Sequence, residues 1–171
     1  MTKISMHAAS VPAFAKMLGN MLSWLEAAKA HAEARKFPAD NYLGLRLAPD
    51  MLPFTKQIQI ASDAAKGCAA RLAGLETPSF PDTEATFPEL QERIAKTIGY
   101  LKTIRPEQFE GSETRTVELK LRHGPITFDG KSYLLGFALP NLYFHVTTAY
   151  DILRHKGVQI GKMDFLGAPP R

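Results

Sequence analysis

The residues best suited to chemistry in this sequence are two histidines that lie on apolar rows of predicted helices. His145 shares a row with Ala138 and Ile152 at seven-residue spacing, and His31 follows Trp24 at the same spacing. An imidazole in an apolar core needs partners for its ring nitrogens, because an unmet buried polar group costs roughly 1–3 kcal/mol. We therefore expect polar groups to face His145.

The candidate partners come from the second predicted helix and from aromatic neighbours. Asp50 and Gln57 lie two turns apart along the buried seam of that helix, and Tyr150 supplies a hydroxyl. We predict a small-molecule pocket in which His145 is a general acid or base and Asp50 orients it, with His31, Gln57 and Tyr150 as binding residues. The alternative is a buried polar network that fixes helix register and does no chemistry.

A metal site would need three or four histidine, carboxylate or thiolate ligands from different helices. The positions three and four residues after His145 are Thr148 and Ala149, so the usual paired spacings on this helix are empty. The sequence predicts no metal ligands and disfavours a divalent metal, and it identifies no other cofactor. Cys68 falls on a core row, which favours a buried, inert thiol over a nucleophile. Neither a glycine-rich phosphate loop nor a G-x-S-x-G serine motif occurs.

Four amphipathic segments position these residues. Apolar residues of helical period predict helices over about 10–35, 50–74, 86–105 and 132–156, the last one kinked near Pro140. Ser10 and Asp50 are placed to cap the first two helices, Thr86 and Glu89 form a capping box before the third, and Gly157 ends the fourth. Residues 38–49 read as an ordered connector and residues 75–85 as a crossing loop.

Between the third and fourth helices the apolar period changes from helical to two. Val117, Leu119 and Leu121 alternate with charged residues, a turn follows at 123–125, and Ile126 and Phe128 resume the alternation. The sequence therefore predicts a short β-hairpin beside an otherwise all-α, antiparallel four-helix bundle.

Composition limits the setting and the partners. A chain of 171 residues is predicted to be one domain over 1–171. The net charge of +4 comes from scattered lysines and arginines, so nucleic acid is not an expected partner. The uncharged run 132–150 contains Pro140, Asn141 and His145, which favours a core helix over a membrane span. With one cysteine and no secretory signal pattern, the cytoplasm is the expected compartment.

Two long motifs closely resemble a bacterial family of unknown function within the DinB/YfiT-like superfamily. They are RLAPDMLPFTKQIQIASDAAKGCAARLAG (residues 46–74) and LPNLYFHVTTAYDILRHKGVQIGKMDFLG (residues 139–167), and FPDTEATFPEL and FDGKSYLL extend the resemblance over essentially the whole chain. The resemblance implies a four-helix bundle, commonly paired as a homodimer.

The wider superfamily includes metal-dependent proteins, among them thiol-dependent transferases and isomerases, whose divalent ion is held by three histidines. One histidine comes from helix two and two come from an H-x-x-x-H pair on helix four. Here His145 matches the first of that pair, Ala149 stands at the second, and helix two offers only Asp50 or Gln57. Besides the small-molecule pocket, two alternatives stay open: a non-enzymatic dimeric scaffold, and a metal-dependent hydrolase or thiol transferase with a non-canonical site.

Overall fold

The computed structural model of the protein describes residues 4–121 and 124–167, and it confirms the predicted bundle with a hairpin. The long helices are α1 (Val11–Ala34), α2 (Phe54–Ala73), α3 (Phe87–Thr103) and α5 (Leu139–His155). Two short helices, α4 (Gly130–Tyr133) and α6 (Lys162–Leu166), flank α5. Short 3₁₀ turns lie at Ala39–Tyr42 and Pro106–Phe109. Among the described residues, no helix is both long and apolar enough to cross a membrane.

The directions of the helices follow from contacts at their ends. Phe54 and Phe87, the first residues of α2 and α3, stack with ring centroids 6.3 Å apart, so these two helices run the same way. His31 near the end of α1 reaches Tyr42, whose ring lies 6.1 Å from Phe87, and Gly157 just after α5 lies beside His31. The ends of α1 and α5 therefore meet the starts of α2 and α3. The loop between α2 and α3, predicted as a crossing loop, runs back along the bundle from the end of α2 to the start of α3.

The predicted seven-residue rows form the core. In α1, α2 and α5 the row positions that point inward are almost completely enclosed, as the periodicity required. Burying a leucine- or phenylalanine-sized side chain contributes about 1.5–3 kcal/mol relative to leaving it exposed, so these rows account for much of the fold's stability. The members with 0 % or 1 % exposure include Phe14, Leu18, Met21, Leu25, Ala28, Phe54, Ile58, Ala61, Ala65, Cys68, Leu72, Leu142, Val146, Ala149 and Leu153.

Two of the predicted helix caps are corrected by the structure. Ser10 directly precedes α1, but its hydroxyl donates to the carbonyl of Met6 and does not cap the helix. Asp50 is exposed four residues before α2, which starts after Pro53 without a side-chain cap. The rigid φ of Pro53 suits the start of a helix, so the chain turns into α2 later than the Asp50 pattern predicted.

Two other predicted helix ends are confirmed. Thr86 and Glu89 form the predicted capping box at the start of α3. Gly157, with φ of +91°, follows α5 in the left-handed region that closes many helices.

The hairpin is confirmed and joins directly to the last long helix. Strands β1 (Thr116–Leu121) and β2 (Gly124–Asp129) pair antiparallel. The turn predicted at 123–125 is described only from Gly124 onward, because Arg122 and His123 lie outside the described residues. Asp129 then accepts a hydrogen bond from the backbone N–H of Ser132 and so caps α4.

A π-helical turn joins α4 to α5 where the sequence predicted a kink. It spans Leu134–Ala138, and Pro140 falls in the first turn of α5. Proline lacks the N–H for a bond four residues back, and a wider turn before it removes the conflict with the preceding carbonyl. The irregular turn thus lies before Pro140, and α5 is regular α-helix from Leu139 through His155.

The segment after α5 folds back onto α1. The Phe165 ring stacks on Trp24 with centroids 5.6 Å apart, and the Trp24 indole N–H donates to the backbone carbonyl of Asp164. Val158 and Ile160 are buried on the way. The tail therefore completes the core on the α1 side.

Candidate functional site

His145 lies on the inner face of α5 and is 8 % exposed. The residues seven before and seven after it, Ala138 and Ile152, are also buried, so the predicted inward row is confirmed. A histidine at this depth is held by specific partners, and they come from the start of α2.

A chain of two hydrogen bonds fixes the imidazole. Nδ1 of His145 lies 2.7 Å from Oε1 of Gln57, and Nε2 of Gln57 donates to the backbone carbonyl of Leu52 over 2.9 Å. Leu52 directly precedes Pro53, in the segment that leads into α2. The bond therefore ties the middle of α5 to the first turn of α2.

These two hydrogen bonds also determine which nitrogen of His145 carries the proton. The Leu52 carbonyl can only accept, so it must face the amide NH₂ of Gln57 and leaves Oε1 toward the histidine. Oε1 can only accept as well, so Nδ1 carries the hydrogen. Nε2 of the neutral ring is then an unprotonated nitrogen with a free lone pair. It has no hydrogen-bond partner among the described residues, and it is not fully enclosed.

Burial keeps the ring neutral. Removal from water disfavours the imidazolium ion and lowers the pKa of His145 from its ordinary value of 6.5. At neutral pH the lone pair of Nε2 is therefore available to accept a proton or to act as a ligand.

An open cavity of about 500 Å³ lies on the surface of the bundle against α5, and it is lined by neighbours of His145 in the sequence but not by His145 itself. Phe144 and Thr148, which flank His145 on α5, line it together with Met51, the residue before Leu52. The rest of its wall is mainly apolar, with one carboxylate, that of Asp151. Among the residues that the structure describes, no cationic side chain lines it.

The other predicted site residues do not join His145. Asp50 is exposed and makes no hydrogen bond to it within the described chain, so the orienting partner is Gln57 and the prediction of Asp50 in that role is corrected. His31 bonds the hydroxyl of Tyr42 at 2.5 Å and lines a different cavity. Tyr150 packs between Trp24 and the α6 segment, and its hydroxyl reaches the carbonyl of Ile160 at 3.5 Å.

Comparison with known proteins identifies the family. A family model described as a domain of unknown function, DUF1993, matches residues 6–166. The chain belongs to the DUF1993 family. The DUF1993 chain is also similar to the crystal structure of a DinB family member protein from Shewanella denitrificans, with 39 % identity over 96 % of this chain and 93 % of that one and a TM-score of 0.89. The search of curated proteins found no matching relative. The predicted resemblance to an uncharacterised DinB-like family is confirmed.

The metal site of the wider superfamily does not fit the residues of this DUF1993 chain. The position four after His145 is Ala149, which is fully buried and offers no ligand atom. The α2 residue beside the imidazole is Gln57, whose oxygen is already used by Nδ1. Within 4–121 and 124–167 no three histidine, cysteine, aspartate or glutamate side chains come together as a metal site.

A second polar cluster, missed at the sequence level, surrounds Arg93 of α3. Its side chain is 1 % exposed and its guanidinium contacts three carboxylates, at 2.8 Å from Asp63, 3.0 Å from Asp82 and 2.9 Å from Glu84. Asp82 and Glu84 belong to the loop between α2 and α3, so the cluster pins that loop to both helices. Arg93 occupies a core position three residues after Leu90, and a cation on an apolar face is the signal that could have predicted buried counter-charges.

The same cluster sets the ionisation of Glu84. Burial alone would raise the pKa of this carboxyl, but hydrogen bonds from Arg93 and Gln59 outweigh burial, and the pKa is lowered from 4.5. The ammonium group of Lys66 donates a hydrogen bond to Asp63 at 2.5 Å. The ammonium groups of Lys66 and Lys96 also lie over the Phe80 ring, at 4.8 and 4.3 Å from its centroid. Because Asp63, Asp82 and Glu84 are each paired with a cation, the cluster is best explained as a structural attachment of the loop to the helices.

The lone cysteine is enclosed, as predicted. Cys68 is 0 % exposed in α2. Burial raises the pKa of its thiol to about 12, against the opposing charge of Arg71. The nucleophilic thiolate is therefore absent at neutral pH.

Proposed function

We propose that this chain binds a small molecule in the cavity beside His145, and that Nε2 of the neutral ring accepts a proton or a hydrogen bond from it. The observation that carries the proposal is the pair of hydrogen bonds that links the Leu52 carbonyl through the Gln57 amide to Nδ1 of His145. It resembles the arrangements that orient working histidines in enzymes, in which a second group holds one ring nitrogen and leaves the other free. A purely structural histidine would gain most by having both nitrogens bonded.

The cavity favours one class of ligand. Its walls include Leu47, Pro140 and Phe144, which suit an apolar body, while Thr147 and Asp151 supply acceptors. A carboxylate and an unprotonated imidazole nitrogen both favour a ligand that donates hydrogen bonds. We therefore propose an apolar molecule that carries a hydroxyl, thiol or amine group. If the site is catalytic, His145 is the general base and Gln57 is its positioning residue.

The tautomer of His145 is the first test of this proposal. Nitrogen-detected NMR of the ¹⁵N-labelled protein at neutral pH should give His145 a protonated Nδ1 and an unprotonated Nε2. Gln57→Leu removes the acceptor and should abolish this fixed assignment, while a matched Gln59→Leu variant should leave it intact. A doubly protonated ring at neutral pH in the wild type, or the opposite tautomer, would refute the proposal.

Ligand binding is the second part of the same test. A thermal-shift screen of small alcohols, thiols and amines should yield a compound that stabilises the wild type and His155→Ala, which removes an exposed histidine of the same helix, but not His145→Ala. Binding should persist below pH 6.5, because the lowered pKa of His145 delays its protonation, and it should be lost only at more acidic pH. A screen in which His145→Ala behaves like His155→Ala throughout contradicts the proposal.

A homodimer that uses the same surface is the second candidate, and it is favoured by the exposed apolar side chains at the cavity mouth. Leu47, Tyr143 and Phe144 are 42 %, 38 % and 57 % exposed and all line that cavity. Exposed apolar groups that cluster in this way are typical of contact surfaces. In this scaffold function the His145 network would hold α2 and α5 in place beneath the interface.

Sedimentation equilibrium tests the dimer. We expect the wild type to dimerise and Phe144→Ser to weaken the dimer by at least about tenfold, which corresponds to about 1.4 kcal/mol. Met163→Ser, which changes an exposed apolar residue on α6, is the matched control and should associate like the wild type. A wild type that stays monomeric at all concentrations, or two variants with equal association, would exclude this interface.

A further inference from the structure

We propose a second ligand site, for a small organic anion with a flat apolar body, in the cavity where the ends of α1 and α5 meet. This cavity measures about 320 Å³, which suits a small ligand. Its walls include the aromatic rings of Phe37 and Tyr42, and its polar groups include the side chains of Arg35, Asn41 and Lys156. Within 4–121 and 124–167, no carboxylate side chain lines it.

The two cations of this cavity have no partner in the described part of the chain. Neither Arg35 nor Lys156 makes a side-chain hydrogen bond or an ion pair with a described residue. Asp40, the acidic residue nearest in sequence to the aromatic wall, is engaged elsewhere, because its carboxylate accepts the backbone N–H of Phe87 at 2.7 Å. An anion that entered would therefore meet two uncompensated positive charges and the amide of Asn41.

Helix capping does not account for these cations. Positive side chains are favoured at helix C-termini, where free carbonyls concentrate negative charge. At the C-terminal ends of α1 and α5, however, backbone N–H groups already donate hydrogen bonds to carbonyls of the last turn. Phe37 donates to Ala32 and Val158 donates to Leu153 in the six-to-one bonds that close helices. Arg35 and Lys156 are thus left available to a ligand.

The aromatic wall is held in place before any ligand binds. Lys36 adopts a left-handed φ of +60°, which turns the chain so that Phe37 lies against His31 and Tyr42, with centroids 6.1 and 5.7 Å away. His31 holds the Tyr42 hydroxyl. Burial raises the pKa of Tyr42, and the charge of Arg35 opposes this rise. A wall fixed in advance reduces the ordering cost of binding.

This site is independent of the one at His145. In the described part of the chain the two cavities share no lining residue. Their charges there are opposite, since Asp151 is the only charged side chain that lines the first and cations line the second. A result at one cavity therefore does not decide the other.

Three probes test the proposal on the full chain. Benzoate has both the charge and the flat body, benzyl alcohol has the body without the charge, and inorganic phosphate has the charge without the body. In an NMR titration, benzoate should bind saturably and shift the backbone amides of residues 35–42. Benzyl alcohol and phosphate should each bind at least about tenfold more weakly, the loss expected when one charge-assisted contact or one aromatic contact is removed.

A pair of double variants supplies the control. Arg35→Gln with Lys156→Gln should weaken benzoate binding about a hundredfold, or tenfold per cation. Lys16→Gln with Lys102→Gln removes the same charge from exposed positions elsewhere and should bind benzoate like the wild type. The proposal is overturned if benzoate does not saturate at residues 35–42, if either comparison probe shifts those residues with equal affinity, or if both double variants lose affinity equally.

Discussion

Replacing Arg93 by methionine is expected to lower the free energy of unfolding by about 3 kcal/mol, because it leaves a buried carboxylate without its counter-charge. Breaking a buried ion pair by removing one partner costs about 3–5 kcal/mol. The lower end applies here, since Asp63 and Asp82 have side chains 42 % and 40 % exposed and only Glu84, at 11 %, would stay enclosed. Urea unfolding followed by circular dichroism measures this loss.

The pH dependence of the same variant tests the cause. In the wild type the lowered pKa of Glu84 contributes stability above pH 4.5, and this contribution is lost as the pH falls through the lowered value. Without Arg93 only burial remains, so the pKa of Glu84 should rise and its charge should destabilise the fold at neutral pH. As the pH falls, the difference in stability between wild type and Arg93→Met should therefore begin to shrink above pH 4.5, where Glu84 of the variant takes up its proton, and should continue to shrink below it.

Lys56→Ala is the control within the same cluster. Lys56 pairs with Asp82 at 2.9 Å, but both side chains are 40 % exposed, so the variant should lose less than about 1 kcal/mol. Equal losses in Lys56→Ala and Arg93→Met, or a difference that does not change with pH, would contradict the buried-charge explanation.

The bundle was predictable because the signals for its helices are local. Seven-residue rows such as Phe14, Met21 and Ala28 fix which face is buried, and the capping box at Thr86 fixes where α3 starts. The parallel course of α2 and α3 was not predictable in the same way. A long loop permits either direction, and the outcome depends on contacts such as Arg93 with Glu84, which join residues from separate elements.

The candidate site was predicted in part for the same reason. Periodicity placed His145 and Gln57 on facing inner rows, and they are bonded. Periodicity also put His31 on an inner row. However, helical period does not specify how far along the bundle axis two residues on different helices lie from each other, and His31 lies at the end of the bundle beside Tyr42. Asp50 does not face His145, because the predicted position of Asp50 required α2 to start at that residue, whereas the stretch before Pro53 is not helical.

Gly130→Ala is the second substitution with a large expected effect, and it tests the joint between hairpin and helix. A Cβ at Gly130 would lie 1.8 Å from the backbone carbonyl oxygen of Ser112 and 3.0 Å from the Leu72 side chain. Ser112 is buried within an otherwise exposed turn. Lys131 donates its N–H to the carbonyl of Glu113 at 3.0 Å, which holds the two segments together. A backbone carbonyl cannot move away as the end of a side chain can. We therefore expect Gly130→Ala to lower the free energy of unfolding by about 3 kcal/mol, at the upper end of the range for overpacking.

The same substitution at Gly99 should have the opposite sign. Gly99 lies inside α3, is exposed, and has nothing within 4 Å of an added Cβ. Alanine there should stabilise the protein by about 0.5–1 kcal/mol, because it restricts the unfolded chain and suits a helix. Thermal and urea unfolding of both variants therefore separate steric contact from glycine's flexibility. A Gly130→Ala protein as stable as the wild type would mean that the hairpin and α4 are not in the close contact described, and that the path from hairpin to α5 is looser than its hydrogen bonds imply.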